Sequence, residues 1–262
     1  MPEWIAIVLL GIIEGITEFL PVSSTGHLLI AETWLPRQSD LFNIVIQSGA
    51  VLAVLPLFPD RLKQFVFKWR EPATQDYLLK ILVAFVITGI GGLAMDRAGL
   101  KLEEDTLPVA IALFAGGAAF LVVERFIRNH TFSENITWSI AIAVGLAQLV
   151  AAAFPGASRS GATILIALLL GLSRVAATEF TFLVGIPTML AAGGLKIAKE
   201  LLKPVGSAGE DWGLLLLGFV VSAAVSFVAV RWLLRYVQTH TFVAFGWYRV
   251  GLAAILILLA VR

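Results

Sequence analysis

The chain has no cysteine, which excludes a disulfide framework, a cysteine-ligated zinc site and an iron–sulfur cluster. It is also poor in charge. Only 14% of its 262 residues are Asp, Glu, Lys or Arg, where an ordinary soluble domain carries about 25%. A net charge of +1 leaves no basic footprint for nucleic acid. The low hydrophobicity that marks intrinsic disorder is absent too. Instead 59% of the residues are hydrophobic and the mean hydropathy is +0.91. Too little polar surface remains to coat a water-soluble globule of this size, so an integral membrane protein is expected. The first ten residues have no positive n-region, Glu3 is acidic, and no small-x-small site closes the apolar run. This segment is therefore expected to belong to the mature protein and not to a cleaved signal.

A helix needs about 20 apolar residues to cross the hydrocarbon core. Six stretches meet that length: about 41–58, 77–95, 107–124, 177–198, 212–234 and 242–261. Short polar loops separate them, and one membrane domain, 1–262, accounts for the whole chain. Two further apolar regions, 3–35 and 136–172, are interrupted by polar residues around Pro21 and Pro155. Each reads as two half-length helices joined at a Pro-led turn. Irregular backbone at membrane depth survives only where protein or a water-filled cavity satisfies it, so both regions are expected to be re-entrant hairpins.

The two broken regions resemble each other. Glu14, Pro21 and Ser24 lie 134 residues before Gln148, Pro155 and Ser158, with one residue inserted in the second copy. Each is followed by three spans, an odd number, which sets the second copy upside down relative to the first. The expected fold class is thus an all-α integral membrane protein with six transmembrane helices and two re-entrant helical hairpins, arranged as inverted repeats of about 1–130 and 131–262. Such repeats place binding sites near the midplane on discontinuous helices. Loops 59–76, 125–135, 172–175 and 231–241 carry Arg61, Lys63, Lys68, Arg70, Arg125, Arg128, Arg174, Arg231 and Arg235. The opposite side carries Arg37, Arg97, Lys101, Lys196, Lys199, Lys203 and Arg262. The positive-inside rule puts the first set in the cytoplasm by a small margin.

Chemistry concentrates in the breaks. Glu14 and Glu18 are four residues apart and share a helix face, and each acid at membrane depth costs about 2–3 kcal/mol or more. Two such carboxylates either hold a hard divalent cation together with waters and a substrate phosphate or form a structural pair satisfied by hydroxyls and backbone. Ser23, Ser24 and Thr25 fall where the second half-helix starts. A Ser-Ser-Thr run there is commonly an N-cap, but a helix start also presents N–H groups to an anion. His27, three residues beyond Ser24, could serve as base toward the hydroxyl or a water. In the second region Arg159 supplies a fixed positive charge suited to phosphate, with Glu14, Glu18 or a substrate phosphate as its partner. Ser158, Ser160, Gly161 and Thr163 begin another half-helix and a second anion site. The inventory suits phosphoryl transfer, and burial in the membrane points to a lipid-linked phosphate whose tail lies between helices. The competing reading is a transporter that carries a lipid phosphate without chemistry; it needs the Arg and the helix starts but no Ser/His pair. Gln47 and Gln148 either hydrogen-bond within the core or line the site, and the core is the expected place. Gly11, Gly15, Gly89, Gly91, Gly92, Gly116, Gly117, Gly193 and Gly194 are expected to permit close helix packing. The seven Trp are expected at the interfaces. Arg249, in the last span beside Tyr248, either pairs with an internal acid or sits at an interface.

These residues carry a resemblance. The run Glu-Gly-Ile-Thr-Glu-Phe-Leu-Pro-Val-Ser-Ser-Thr-Gly-His at 14–27 and the run Pro-Gly-Ala-Ser-Arg-Ser-Gly-Ala-Thr at 155–163 match both motifs of the undecaprenyl-diphosphate phosphatase, or bacitracin-resistance protein, family without departure. Softer stretches at 46–53, 179–187 and 245–249 fit as well, so the resemblance covers nearly the whole chain. It implies hydrolysis of undecaprenyl diphosphate to undecaprenyl phosphate and inorganic phosphate, regenerating the lipid carrier of the bacterial envelope in the inner membrane, with the site open toward the periplasm. It implies Glu14 and Glu18 as acids linked to a divalent cation (Mg2+ or Ca2+), Ser24 as nucleophile with His27 assisting, and Arg159 on the diphosphate. Ser23, Thr25, Gly26, Ser158, Ser160, Gly161 and Thr163 would then line the substrate. Attack by His27, or by water that His27 or Glu18 activates, stays open beside attack by Ser24. The expected partners are a polyprenyl diphosphate and membrane lipids, with a homodimer admitted and nucleic acid excluded.

Overall fold

The computed structural model describes residues 1–100, 105–202 and 211–260. Of the basic residues named above, Lys101, Lys203 and Arg262 lie outside this set, as does the side chain of Lys196. Eleven α-helices account for most of the described chain: α1 (Glu3–Thr17), α2 (Ser24–Ala31), α3 (Asp40–Val54), α4 (Pro59–Phe67), α5 (Pro72–Arg97), α6 (Thr106–Phe126), α7 (Trp138–Ala153), α8 (Arg159–Leu169), α9 (Arg174–Leu201), α10 (Trp212–Tyr236) and α11 (Val243–Ala260). The starts follow local chemistry. Pro59 and Pro72 open α4 and α5, where a missing N–H costs nothing. Ser39, Thr137 and Asp211 cap α3, α7 and α10 by accepting from backbone N–H groups inside the first turn.

Six helical segments are long and apolar enough to cross a membrane: Asp40–Leu57, Pro72–Arg97, Thr106–Asn129, Arg174–Lys199, Trp212–Tyr236 and Val243–Ala260. These are the six expected spans. Their outward faces are oily: Val122 and Leu258 are 68% and 69% exposed, and Ile90, Leu216 and Val228 are similarly bare. Continuous exposed apolar surface of this kind is tolerable only in lipid, and the chain is a multi-pass membrane protein. All seven Trp side chains are exposed and lie at or near helix ends, as an interfacial anchoring role requires.

The two broken regions are indeed helix–break–helix units. At 1.5 Å per residue α1 and α2 reach about 22 and 12 Å, and α7 and α8 about 24 and 16 Å, short of a hydrocarbon core of about 30 Å. α1 packs on α2 and α7 on α8. Around them α1 also packs on α10 and α7 on α5, while α3 meets α9 and α10, and α6 lies along α11. Close approach rests on glycine at several crossings. A Cβ at Gly11 would meet Gly218 O at 3.1 Å, one at Gly145 would meet Ala84 O at 2.9 Å, and one at Gly15 would meet Ser222 O at 2.7 Å. Gly91, Gly116, Gly117 and Gly193 are equally crowded, but Gly89, Gly92 and Gly194 have nothing within 4 Å, so the packing role expected for those three does not hold.

The first break is built into the core. Phe19, Leu20 and Val22 join Phe180, Phe182 and Val184 of α9 and Ile164 of α8 in one buried cluster, with Phe19 edge-on to Phe182 at 4.9 Å. Away from the breaks, α6, α9 and α11 are locked by a buried fork. Arg174 donates from both Nε and Nη2 to the Glu124 carboxylate, which also accepts from Phe242 N at 2.8 Å. Glu124→Ala strands a partly buried guanidinium and a buried amide, and a destabilisation of about 3–5 kcal/mol is expected, read as a lower Tm of the detergent-solubilised protein.

Candidate functional site at the two helix breaks

Both breaks end in the same unusual way. Ser23 and Ser158 are the two non-glycine residues of positive φ among the described residues, at 71° and 67°. A side chain in this region costs about 1–3 kcal/mol and persists only where the surroundings enforce it. Each serine caps the following helix. Ser23 Oγ accepts from Gly26 N at 3.4 Å, and Ser158 Oγ accepts from Gly161 N at 3.2 Å. The counterpart of Ser158 is therefore Ser23, and the inserted residue lies before the serine; the sequence spacing had matched Ser158 with Ser24. Ser24 and Arg159 consequently occupy equivalent positions, each the first residue of a half-helix.

Glu18 joins the two. It follows α1 directly, and its amide donates to Glu14 O. Ser24 Oγ donates to Glu18 Oε2 at 3.1 Å, and Arg159 Nη2 donates to Glu18 Oε1 at 3.0 Å. Glu18 and Arg159 are both largely buried. The other guanidinium nitrogens, Nε and Nη1, are buried without a partner. Nη1 points at the backbone of α9, where a Cβ on Gly185 would lie only 1.8 Å away. A cavity of about 320 Å³ opens here, lined by Glu18, Ser23, Ser24, Thr25, Ser158 and Arg159 from the breaks and by Gln47, Thr88, Gln148, Thr188 and Met189 from the helices around them. A second, polar cavity of about 290 Å³ shares Ser24, Thr25 and Gln47 and runs past Asn43 to Glu32, Arg37 and Asp40, where α2 ends and α3 begins.

The remaining motif residues fall outside this cluster. Glu14 is fully buried, lines neither cavity, and has no hydrogen-bond partner for either carboxylate oxygen; Glu18 and Gln47 are its polar neighbours. His27 Nδ1 donates to Ser23 O at 2.7 Å, so Nε2 of the neutral ring accepts from the Tyr248 hydroxyl, also at 2.7 Å. Both ring nitrogens are thus engaged away from Ser24. Ser160 donates to Leu20 O at 3.3 Å, tying one break to the other, and Thr163 donates back to Arg159 O at 2.7 Å. Gly26 and Gly161 serve through their amides, as above.

Several residues that shape the site lie outside the two main motifs. Gln47 was expected in the core but lines both cavities. Gln148 is buried as expected, donating to Thr88 Oγ1 at 2.8 Å, yet its Oε1 is unpartnered and it also borders the larger cavity. Tyr248 holds His27 from 221 residues away. The usable signal for all of them is polarity inside an apolar span.

Residues 7–255 match the family described as Bacitracin resistance protein BacA. The chain belongs to the BacA family. Relatives named undecaprenyl-diphosphatase share much of its sequence: one from Rhizobium etli (strain CIAT 652) is 52% identical over 256 residues, covering 97% of this chain and 96% of its own length. Another, from Xanthomonas axonopodis pv. citri (strain 306), is 51% identical over 259 residues, 98% of this chain and 97% of its own. The BacA match spans both breaks and every helix that lines the cavities.

Proposed function

We propose that this BacA-family chain hydrolyses undecaprenyl diphosphate to undecaprenyl phosphate and inorganic phosphate, as its relatives are named to do. The observation that carries the reading is Glu18, whose two oxygens hold the Ser24 hydroxyl and the Arg159 guanidinium together at a cavity. Glu18 takes the Ser24 proton as Oγ attacks the terminal phosphorus. The bond from that phosphorus to the bridging oxygen breaks, and undecaprenyl phosphate leaves. Water then attacks the phosphoserine, inorganic phosphate departs, and the Ser24 hydroxyl is restored. Arg159, which borders the cavity, and the amides at the start of α2 neutralise the charge that develops on phosphate. With both nitrogens of His27 engaged elsewhere, the geometry favours Ser24 over His27 as nucleophile and leaves His27 holding the Ser23 turn.

A divalent cation, Mg2+ or Ca2+, fits the residues present. A buried carboxylate with two partnerless oxygens, as in Glu14, calls for a cation or a proton. Glu14, Glu18 and the amide oxygen of Gln47 are hard oxygen donors of the kind Mg2+ and Ca2+ take alongside water and phosphate. No three His, Asp or Glu converge among the described residues, so such an ion would lean on the substrate's own oxygens. Bound there, it would offset diphosphate charge.

The lipid character of the substrate is supported by an apolar cavity of about 380 Å³ next to the first break, lined by Leu20, Val22, His27, Trp232, Phe245 and Tyr248 among others. Sidedness follows from charge. The polar cavity opens where α2 ends and α3 begins, opposite the loops that carry Arg61, Lys63, Arg125, Arg128 and Arg235. The positive-inside rule then turns this mouth to the periplasm of an inner-membrane protein. The inverted-repeat reading is supported by contacts that recur in one register. Gly11 against Gly218 and Gly145 against Ala84 are the same crossing 134 residues on. In that role the protein recycles the carrier for cell-wall synthesis and withstands bacitracin. A pure lipid-phosphate carrier would leave the Ser24–Glu18 hydrogen bond without a task.

Phosphate release by purified protein from undecaprenyl diphosphate tests the proposal. Steady release is expected, falling at least tenfold with chelator and returning on addition of Mg2+ or Ca2+. Folded protein that binds the lipid but releases no phosphate would overturn the hydrolase; release indifferent to chelator would remove the cation.

A further inference from the structure

Arg249 is the largest fully buried side chain among the described residues, at 0% exposure in α11. No carboxylate lies within ion-pair distance of it among them, and it sits at no interface, so neither expectation for it holds. Its guanidinium meets backbone carbonyls instead. Nε donates to Leu113 O of α6 at 3.3 Å, Nη1 to Pro21 O at 3.3 Å, and Nη2 to Gly156 O at 3.2 Å and Ala157 O at 2.9 Å. Four of the five donors are used, on three separate segments.

The choice of carbonyls is specific. Pro21 lies two residues before the strained Ser23, and Gly156 and Ala157 lie immediately before the strained Ser158. None of the three carbonyls accepts a backbone N–H among the described residues, so without Arg249 all would be orphans at membrane depth. The site for the guanidinium is carved in glycine: a Cβ on Gly116 would lie 2.0 Å from Nη2 and 2.7 Å from Cζ, and one on Gly161 would lie 3.1 Å from Nη1. A buried cation in a membrane protein costs enough that a task is the default reading.

The geometry points to Arg249 as a positioning residue that staples the two breaks to one another and thereby sets Ser24 against Arg159. It does not touch the cavity that holds them. Its catalytic consequence rests on the hydrolase proposed above; the staple itself does not. Lysine cannot replace it, because one ammonium on a flexible stem cannot fork to three segments at once.

The test uses the full-length protein in detergent, comparing wild type with Arg249→Lys and Gly116→Ala. The second variant keeps every functional side chain and favours the α6 helix by propensity, yet drives the guanidinium off its carbonyls. Amide hydrogen exchange is read over segments 18–26 and 155–162 and over α5 and α7, with kcat and KM alongside. In both variants the two break segments should exchange together, about tenfold faster than in wild type, while α5 and α7 keep their protection. The kcat should fall about 100-fold with KM within about threefold, as a misplacement of about 1 Å between reacting groups produces. The double variant should be no worse than Arg249→Lys, because both substitutions break one device. Unchanged exchange at both breaks, loosening of only one, or additive losses in the double variant would overturn the staple. If Arg249→Lys fails to fold, Gly116→Ala decides by the same readings. If wild type itself releases no phosphate, the hydrolase fails, and the exchange pattern still decides the staple.

Discussion

Replacing Glu18 with Gln is expected to cut kcat for phosphate release by about 10³–10⁴-fold while the protein stays folded. The amide oxygen of a glutamine can still accept from Ser24 or Arg159, so the local geometry is largely kept. What disappears is the basicity that takes the Ser24 proton, a contribution of about 10²–10⁴ in a positioned acid–base pair. The negative charge beside Arg159 disappears too. That guanidinium is partly buried with two nitrogens already unpartnered, and it then faces the cavity without its counter-charge. Substrate affinity should not fall in step, since an unneutralised Arg159 attracts a diphosphate more strongly. The signature is therefore a collapse in kcat with KM unchanged or lower, and activity within tenfold of wild type would rule out Glu18 as the base.

Arg159→Lys is expected to lower kcat/KM by about 10²–10³-fold, the usual cost of losing one aligned donor to a developing oxyanion. Charge is conserved, so a simple Coulomb role would predict little change. The fork is the point: Nη2 serves Glu18 while the rest of the planar group borders the cavity, and a lysine has one nitrogen to divide between Glu18 and phosphate. Inorganic phosphate should also inhibit the variant more weakly than wild type. Wild-type activity in Arg159→Lys would mean that the guanidinium only balances Glu18 and never meets the substrate.

The spans and the breaks were readable from composition because membranes leave few choices. Twenty apolar residues in a row have one stable use, and a Pro-led polar turn inside such a run has to be held by protein. Glu18, Ser24 and Arg159 were readable for the same reason, as polar groups where polarity is expensive. What lay beyond reach depended on which faces meet. Nothing near His27 announces Tyr248, and the four carbonyls that receive Arg249 carry no side-chain signal at all. The serine register was lost at a single residue because positive φ at Ser23 and Ser158 is imposed by packing and not by residue type, as it would be at glycine. Gln47 reaches the cavity from a helix whose apolar surroundings made it look like core.

The central claim is that Ser24 itself carries the phosphoryl group. The most direct measurement is a rapid quench during turnover of undecaprenyl diphosphate labelled in the terminal phosphate, with the labelled protein digested and the modified residue located. Quenching in both acid and base keeps either a serine ester or a histidine phosphoramidate from being lost. The account predicts an acid-stable phosphoester on Ser24 that forms and decays at rates compatible with kcat and is absent in Ser24→Ala. Label on His27, or full turnover with no phosphate ever bound to protein, would contradict it.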